Sequence, residues 1–338
     1  MTYHLLGALD SFSEAERSDW VLYLNSHQDE DGLYRDPVIF DQGWYAGDPL
    51  WCGRAHLTCH VIIALTCLGG VAPKPLRWLE PYRDRACLIR WLEERDWGER
   101  ISWTGNEILN VGSLLQYARD FHNDDRAGQA VSVMLDWLST HHSNAQTGVW
   151  GDLEASDPFW RSHAVQAAYH WWLLFFYDDV PIPHIERAID TLLATQNPMG
   201  GFGWGVHNPD EPFQSSACED IDSIDPLCRL SQITDYRHDE IEAALSRAAE
   251  WVLSHQMADG GFVFVKGREF TYGHPEMRSE RNQSAMFPTW FRTLSLALIG
   301  KVLPEHPLAA LPWRFVRCPG MQFWNSPWAH SPDAQVQE

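Results

Sequence analysis

The chain of 338 residues is 45% apolar and 13% aromatic, enough apolar surface for a sizeable core, which excludes a disordered chain. Its 46 acidic against 25 basic side chains give a formal net charge of −21, a field that repels phosphate backbones and anionic membranes, so nucleic acid is excluded as a partner. The longest apolar run, around Trp171–Phe176, is too short to span a bilayer, and Met1-Thr2-Tyr3-His4 opens no secretory signal, so neither a transmembrane segment nor a leader is expected.

In chain order, Ser13-Glu14-Ala15-Glu16 reads as a capping box at a helix start, and the run Trp20, Leu22, Tyr23, Leu24 follows it. Gln28–Gly32–Tyr34 comes next, with the form Gln-x3-Gly-x-aromatic. Gln196–Gly200–Phe202 and Gln256–Gly260–Phe262 repeat that form, and Asn144–Gly148–Trp150 has Asn in place of Gln. The spacing of the glycines, about one helical hairpin or two, marks an internal repeat, and Trp97-Gly98…Trp103 stands where a degenerate copy is due. Amphipathic stretches precede the later copies, at 84–95, 128–142, 185–196 and 240–255. Segments apolar nearly all round come after the copies, at 50–68, 106–121, 158–177, 224–236 and 286–300.

Wet-faced outer helices alternating with buried inner ones predict an all-α fold, an (α/α) barrel or toroid of about five or six helical hairpins in a single domain. The toroid covers residues 1–301, and 302–338 forms a closing segment packed on it. Asp48-Pro49-Leu50-Trp51, Asp157-Pro158-Phe159-Trp160 and Asp225-Pro226-Leu227-Cys228 recur at inner-helix starts, with Phe287-Pro288-Thr289-Trp290 a relative. Proline costs no helical hydrogen bond only in the first turn, so inner helices are expected to begin near residues 48, 106, 157, 224 and 286. For Pro226 this puts the N-cap between Asp222 and Asp225. In each loop the glycine allows a tight turn, the aromatic wedges against the next hairpin, and the Gln answers free carbonyls at the outer helix's end. Cys52, Cys59, Cys67, Cys87, Cys218, Cys228 and Cys318 are scattered without a CxxC pair, the pattern of reduced thiols, so a cytoplasmic location is expected.

The Gln-x3-Gly-x-aromatic copies, across roughly residues 14–300, resemble the QW motifs of squalene–hopene and oxidosqualene cyclases, a superfamily that includes class II diterpene cyclases and protein prenyltransferase β-subunits. The segment Gly200-Gly201-Phe202-Gly203 through Cys218-Glu219-Asp220-Ile221-Asp222-Ser223-Ile224-Asp225 resembles the DxDD region of class II cyclases, with Ser223 in place of the fourth position. The resemblance implies that Asp222 is a general acid that protonates an alkene or epoxide and that Asp220 holds it in position. The family's zinc transferases use an Asp-x-Cys pair on one inner helix and a His on the next. No Asp-x-Cys stands here and the last inner helix, from Arg281-Asn282-Gln283-Ser284 onward, brings no His, so no metal cofactor is expected, and Mg2+ is called for only if the substrate is a diphosphate.

The residues themselves leave two accounts of this cluster. Crowding and burial of Glu219, Asp220, Asp222 and Asp225 keep one carboxyl neutral and ready to donate. Alternatively the acids cap a helix N-terminus, whose dipole keeps them ionised.

His163, near the mouth end of its helix, is the further catalytic candidate. Asp225, Glu107, Trp160, Trp204 and Arg161 are the candidate substrate contacts. Arg54, Arg161, Arg229 and Arg292 recur after the proline units, where they ion-pair with neighbouring acids or grip an anionic substrate. His56 and His60, four apart on one helix, read as hydrogen-bonded core residues or a metal-binding face. The expected partner is a small apolar or isoprenoid substrate; oligomeric state is open. The rival functions are a carbohydrate-active (α/α) barrel using paired carboxylates and a non-catalytic toroid binding lipid or protein.

Overall fold

After a single helical turn at Thr2–Leu5, Ser13 opens a helix as its sequence predicts. Its hydroxyl accepts from the Glu16 amide at 3.2 Å while the Glu16 carboxylate accepts from the Ser13 amide at 2.8 Å, and α1 runs Glu14–Asn25. The computed structural model describes residues 1–36, 54–151, 156–271 and 277–325. After α1 come α2 (Leu57–Cys67), α3 (Arg85–Glu93), α4 (Ile101–His122), α5 (Asp125–Thr140) and α6 (Pro158–Tyr177). The series ends with α7 (Ile185–Leu193), α8 (Ala217–Leu230), α9 (His238–Leu253) and α10 (Met286–Val302). The described chain is mostly helical, and its sheet content is one antiparallel pair, β1 (Phe270–Thr271) against β2 (Arg278–Ser279). No described helix is long and apolar enough to cross a membrane.

The alternation expected from polarity is present. Helices α3, α5, α7 and α9 bury one face, whereas α4, α6, α8 and α10 are buried nearly all round. Consecutive buried helices touch: α2 packs on α4, α4 on α6, α6 on α8 and α8 on α10. His60 of α2 sits edge-on to Trp290 of α10 with ring centroids 5.3 Å apart. After α10 the chain runs back under the helices, where Trp290 Nε1 donates to Gln322 Oε1 at 2.7 Å and Arg314 N to Leu5 O at 3.0 Å. Helix α1 departs from the pattern, exposing Trp20 (51%), Leu22 (68%) and Tyr23 (57%).

Each glycine loop is closed by an isolated antiparallel bridge, Gln28 to Tyr34, Ser143 to Trp150, Gln196 to Phe202 and Gln256 to Phe262. The Gln side chain does something other than answer the outer helix. Gln28 Nε2 donates to Gly32 O (2.8 Å) and Lys74 O (3.0 Å), and Gln196 Nε2 to Gly200 O (3.0 Å) and to Ala244 O of α9 (2.8 Å), so it locks the loop and ties it to the next hairpin. In the 144–150 copy Ser143, not Asn144, holds the bridging place, because that loop carries one extra residue. Gly148 is required twice over: its φ is +71°, and a Cβ there would collide with the backbone of Ala188 in α7. Trp97-Gly98…Trp103 does not form such a loop: Gly98 has no positive φ, and Trp103 lies within α4, 40% exposed.

Helices α6 and α10 begin where the prolines place them, with Asp157 capping α6 through Phe159 N at 2.8 Å. Helix α4 starts at Ile101, five residues before the expected 106. The start expected near 48, with Asp48-Pro49-Leu50-Trp51, and Cys52 lie outside the described residues. Pro226 is the clear correction. Helix α8 begins at Ala217, capped by Ser216 in a reciprocal box with Glu219, and Pro226 sits inside it. A proline there has no N–H to give the carbonyl four residues back, so the Asp222 carbonyl loses its helical partner. Pro226 is itself buried in the packed layer.

Candidate active site

Helix α8 carries the four acids, and its first turn decides what Glu219 does. As the third residue of the box it accepts from Ser216 N (3.1 Å) and the Ser216 hydroxyl (2.9 Å) on Oε2. Its Oε1 accepts from Gly205 N (3.2 Å) and Val206 N (2.9 Å) in the glycine-rich loop, whose positive-φ residues Gly203 (+92°) and Gly205 (+88°) bring those amides round. His207 closes the set, with Nδ1 3.6 Å from Oε2. Burial opposes ionisation of Glu219, but His207 and the Ser216 and Val206 amides together hold its pKa below the usual range.

Asp220 turns away from that loop end towards α9 and α10. It accepts from Phe202 N (2.9 Å), the Ser215 hydroxyl (3.1 Å), Trp251 Nε1 (3.0 Å) and Arg292 Nη1 (2.7 Å), and both members of the ion pair are fully buried. Four donors and no acceptor suit an ionised carboxylate. The same job falls to Thr58 and Thr289, whose hydroxyls take Tyr34 N and Phe262 N at 2.9 Å in the equivalent loops. Asp220 is thus the repeat's loop anchor, and it makes no hydrogen bond to Asp222.

Asp222, two residues on, faces α6. Its Oδ2 is buried and has no hydrogen-bond partner among the described residues, while Gln166 offers its carboxyl a hydrogen bond. Burial, and then the charge of Glu219, push its pKa well above the ordinary carboxylate value, with Asp220 and Asp225 adding to the effect. The capping account of Asp222 is corrected: Ser216 is the cap, six positions earlier. Asp225 lies a turn further, joined to Arg229 Nε at 2.6 Å, with Tyr169 of α6 beside it.

His163 stands at the start of α6, with Nδ1 3.3 Å from the Ser102 hydroxyl and its ring against Phe159 (4.7 Å) and Trp160 (5.5 Å). Burial lowers its pKa, helped by His207, while Glu219 opposes. Asp222, Glu219 and His163 are therefore gathered between α6 and α8, and Trp160 flanks them. The missed members are Gln166, Tyr169 and His207, from a neighbouring helix and a loop. Only the short distance of His207 from the acids along the chain was a signal for any of them.

Other candidates go elsewhere. Glu107 pairs with Arg95 at 2.7 Å, beside Tyr82 and Trp91, and does not join the acids. Arg161 donates to Ala194 O (3.2 Å) and Ser156 O (3.3 Å). Trp204 packs edge-on to Phe213 with its buried Nε1 unpartnered among the described residues. Arg54 pairs with Asp29 and Asp31 of the first loop, and Arg292 with Asp220, so these two arginines serve the repeat. His56 and His60 touch with ring centroids 4.4 Å apart, and burial takes His56 down to about 4 and holds His60 well below the usual histidine value. Among the described residues no group of three or more His, Cys, Asp or Glu is arranged to hold a metal ion. No family model and no curated protein matches the sequence.

Proposed function

We propose that the five hairpins close into an α/α toroid and that the chain is a cyclase-like enzyme that starts carbocation chemistry on an isoprenoid by protonation. The observation that carries this reading is Asp222, a buried carboxyl whose pKa burial and the Glu219 charge push well up, with one oxygen that has no partner among the described residues. Protonating an alkene needs such a group: an acid held in its protonated form away from water. The O–H bond of Asp222 breaks as the alkene's π pair takes the proton, and the cation left on the neighbouring carbon is attacked by the next double bond. A later loss of a proton from carbon ends the sequence, so substrate and product are isomers. Phe159 and Trp160, on the same end of α6 as His163, offer π-faces to cationic intermediates. Mg2+ enters only if the substrate carries a diphosphate.

The glycosidase alternative needs two free carboxylates facing each other across a cleft. Asp220 is spent on four donors and Glu107 on Arg95, which argues against it. The test is incubation with linear polyprenyl hydrocarbons, alcohols and diphosphates, with products analysed by mass spectrometry. Cyclised isomers of unchanged mass are expected from the wild-type chain and not from Asp222→Asn. Cyclisation undiminished in Asp222→Asn would overturn the reading.

A further inference from the structure

At the other end of α6 and α8 from His163 and Glu219 there is a pocket of about 310 Å³, which Asp222 does not line. That volume is at the small end of the roughly 300–1,000 Å³ of ligand sites. Its walls are apolar, formed by Phe175 and Phe176 of α6, Ile182, Ile185, Ile233 and Trp324. Its polar lining is Arg229 of α8, itself only 5% exposed, together with Asp179, Gln232 and Asn325.

The hydrogen bonds of Arg229 are incomplete. Nε donates to Asp225 Oδ1 (2.6 Å) and Nη2 to Phe323 O (2.7 Å). Asp225 does not meet the guanidinium with both oxygens, since its Oδ2 has no partner among the described residues. A guanidinium has five N–H donors, and two are accounted for. Nη1 makes no hydrogen bond among the described residues, and Arg229 lines the pocket. The cation lies over Phe323 at 4.2 Å, Phe176 at 5.3 Å and Trp324 at 5.5 Å, which fixes its plane. A fixed, desolvated guanidinium with a spare terminal nitrogen at the floor of an apolar pocket suits an oxygen anion carried on an apolar body.

We propose that this pocket binds a compact apolar carboxylate, whose oxygens take Nη1 of Arg229 and whose body fills the space between Phe176, Ile233 and Trp324. The site is separate from the acid at Asp222 and stands whether or not the chain is a cyclase.

The experiment is calorimetric titration of the full chain with two probes, trans-cinnamate and cyclohexanecarboxylate, with cinnamyl alcohol as the neutral control. A single site per chain is expected for the carboxylates, with the alcohol at least about tenfold weaker, the low end for hydrogen bonds to a charged group. Ile233→Trp fills the mouth from a half-exposed position without touching the Arg229–Asp225 pair, so it should abolish binding at unchanged Tm. Arg229→Lys keeps the charge and loses the fork, and should weaken the carboxylates towards the level of the alcohol. No binding of either carboxylate, equal binding of the alcohol, or full binding by Ile233→Trp would each overturn the proposal.

Discussion

Glu219 and Asp222 lie three residues apart on α8 with their pKa values pushed in opposite directions. Glu219 is ringed by four donors from Ser216, Gly205 and Val206, with His207 beside it, and stays ionised. Burial and then the nearby Glu219 charge push the pKa of Asp222 well up against the opposing Gln166 hydrogen bond, and its Oδ2 has no partner among the described residues. Two carboxyl groups whose surroundings push their pKa values apart define an acid and its charged neighbour.

Asp222→Asn should therefore separate activity from stability. Turnover should fall by at least about a hundredfold, the low end of a general acid's contribution. The folded-state pKa of Asp222 is raised above its unfolded value, so its contribution to stability is full below about pH 4 and is lost as pH climbs through the raised pKa. Asparagine has no such loss. The variant should melt above the wild type at pH 8 and alongside it near pH 4. Thermal melts across that range check it, and a variant less stable at pH 8 would contradict a neutral, unpaired Asp222.

Ser216→Ala tests where α8 starts. It removes the hydroxyl that caps the helix and also donates to Glu219, and should cost about 1 kcal/mol, the usual value of a lost N-cap. Denaturant unfolding measures this directly. Wild-type stability would place the helix start elsewhere.

Asp220→Ala should be far more damaging than its neighbour's replacement. It leaves Arg292 buried and uncompensated, and strands Trp251 Nε1 and the Phe202 amide. Breaking one side of a buried pair costs about 3–5 kcal/mol. Soluble Asp220→Ala protein with a wild-type unfolding midpoint would refute the anchor role.

Gly260→Ala and Gly148→Ala should differ. Both glycines have positive φ, +86° and +71°, a conformation costing an L-residue about 1–2 kcal/mol. A Cβ at Gly260 meets nothing within 4 Å, whereas at Gly148 it strikes the Ala188 backbone. Unfolding free energies should show the second loss clearly exceeding the first, and equal losses would mean that α7 gives way at no cost.

Local chemistry made much of this legible. Polarity at helical period located most of the one-face-buried and fully buried helices to within about five residues, α8 excepted, because which face is wet depends on neighbours along the chain. The glycine loops were legible because a left-handed turn admits few residues. Helix α8 starts at the Ser216–Glu219 capping box and not at Pro226, because proline favours first turns without being confined to them.

By itself, then, the sequence determined the helical class, the repeat and the crowding of acids on one segment. Tertiary structure alone assigned the acids their tasks. Residues two apart on a helix point to opposite sides, so Asp220 and Asp222 had to face different neighbours, but nothing local says which. Packing put Arg292 and Trp251 before Asp220 and Gln166 before Asp222. A carboxyl's charge state follows from the donors and the solvent around it, and here those come from α6, α9 and α10, far away along the chain.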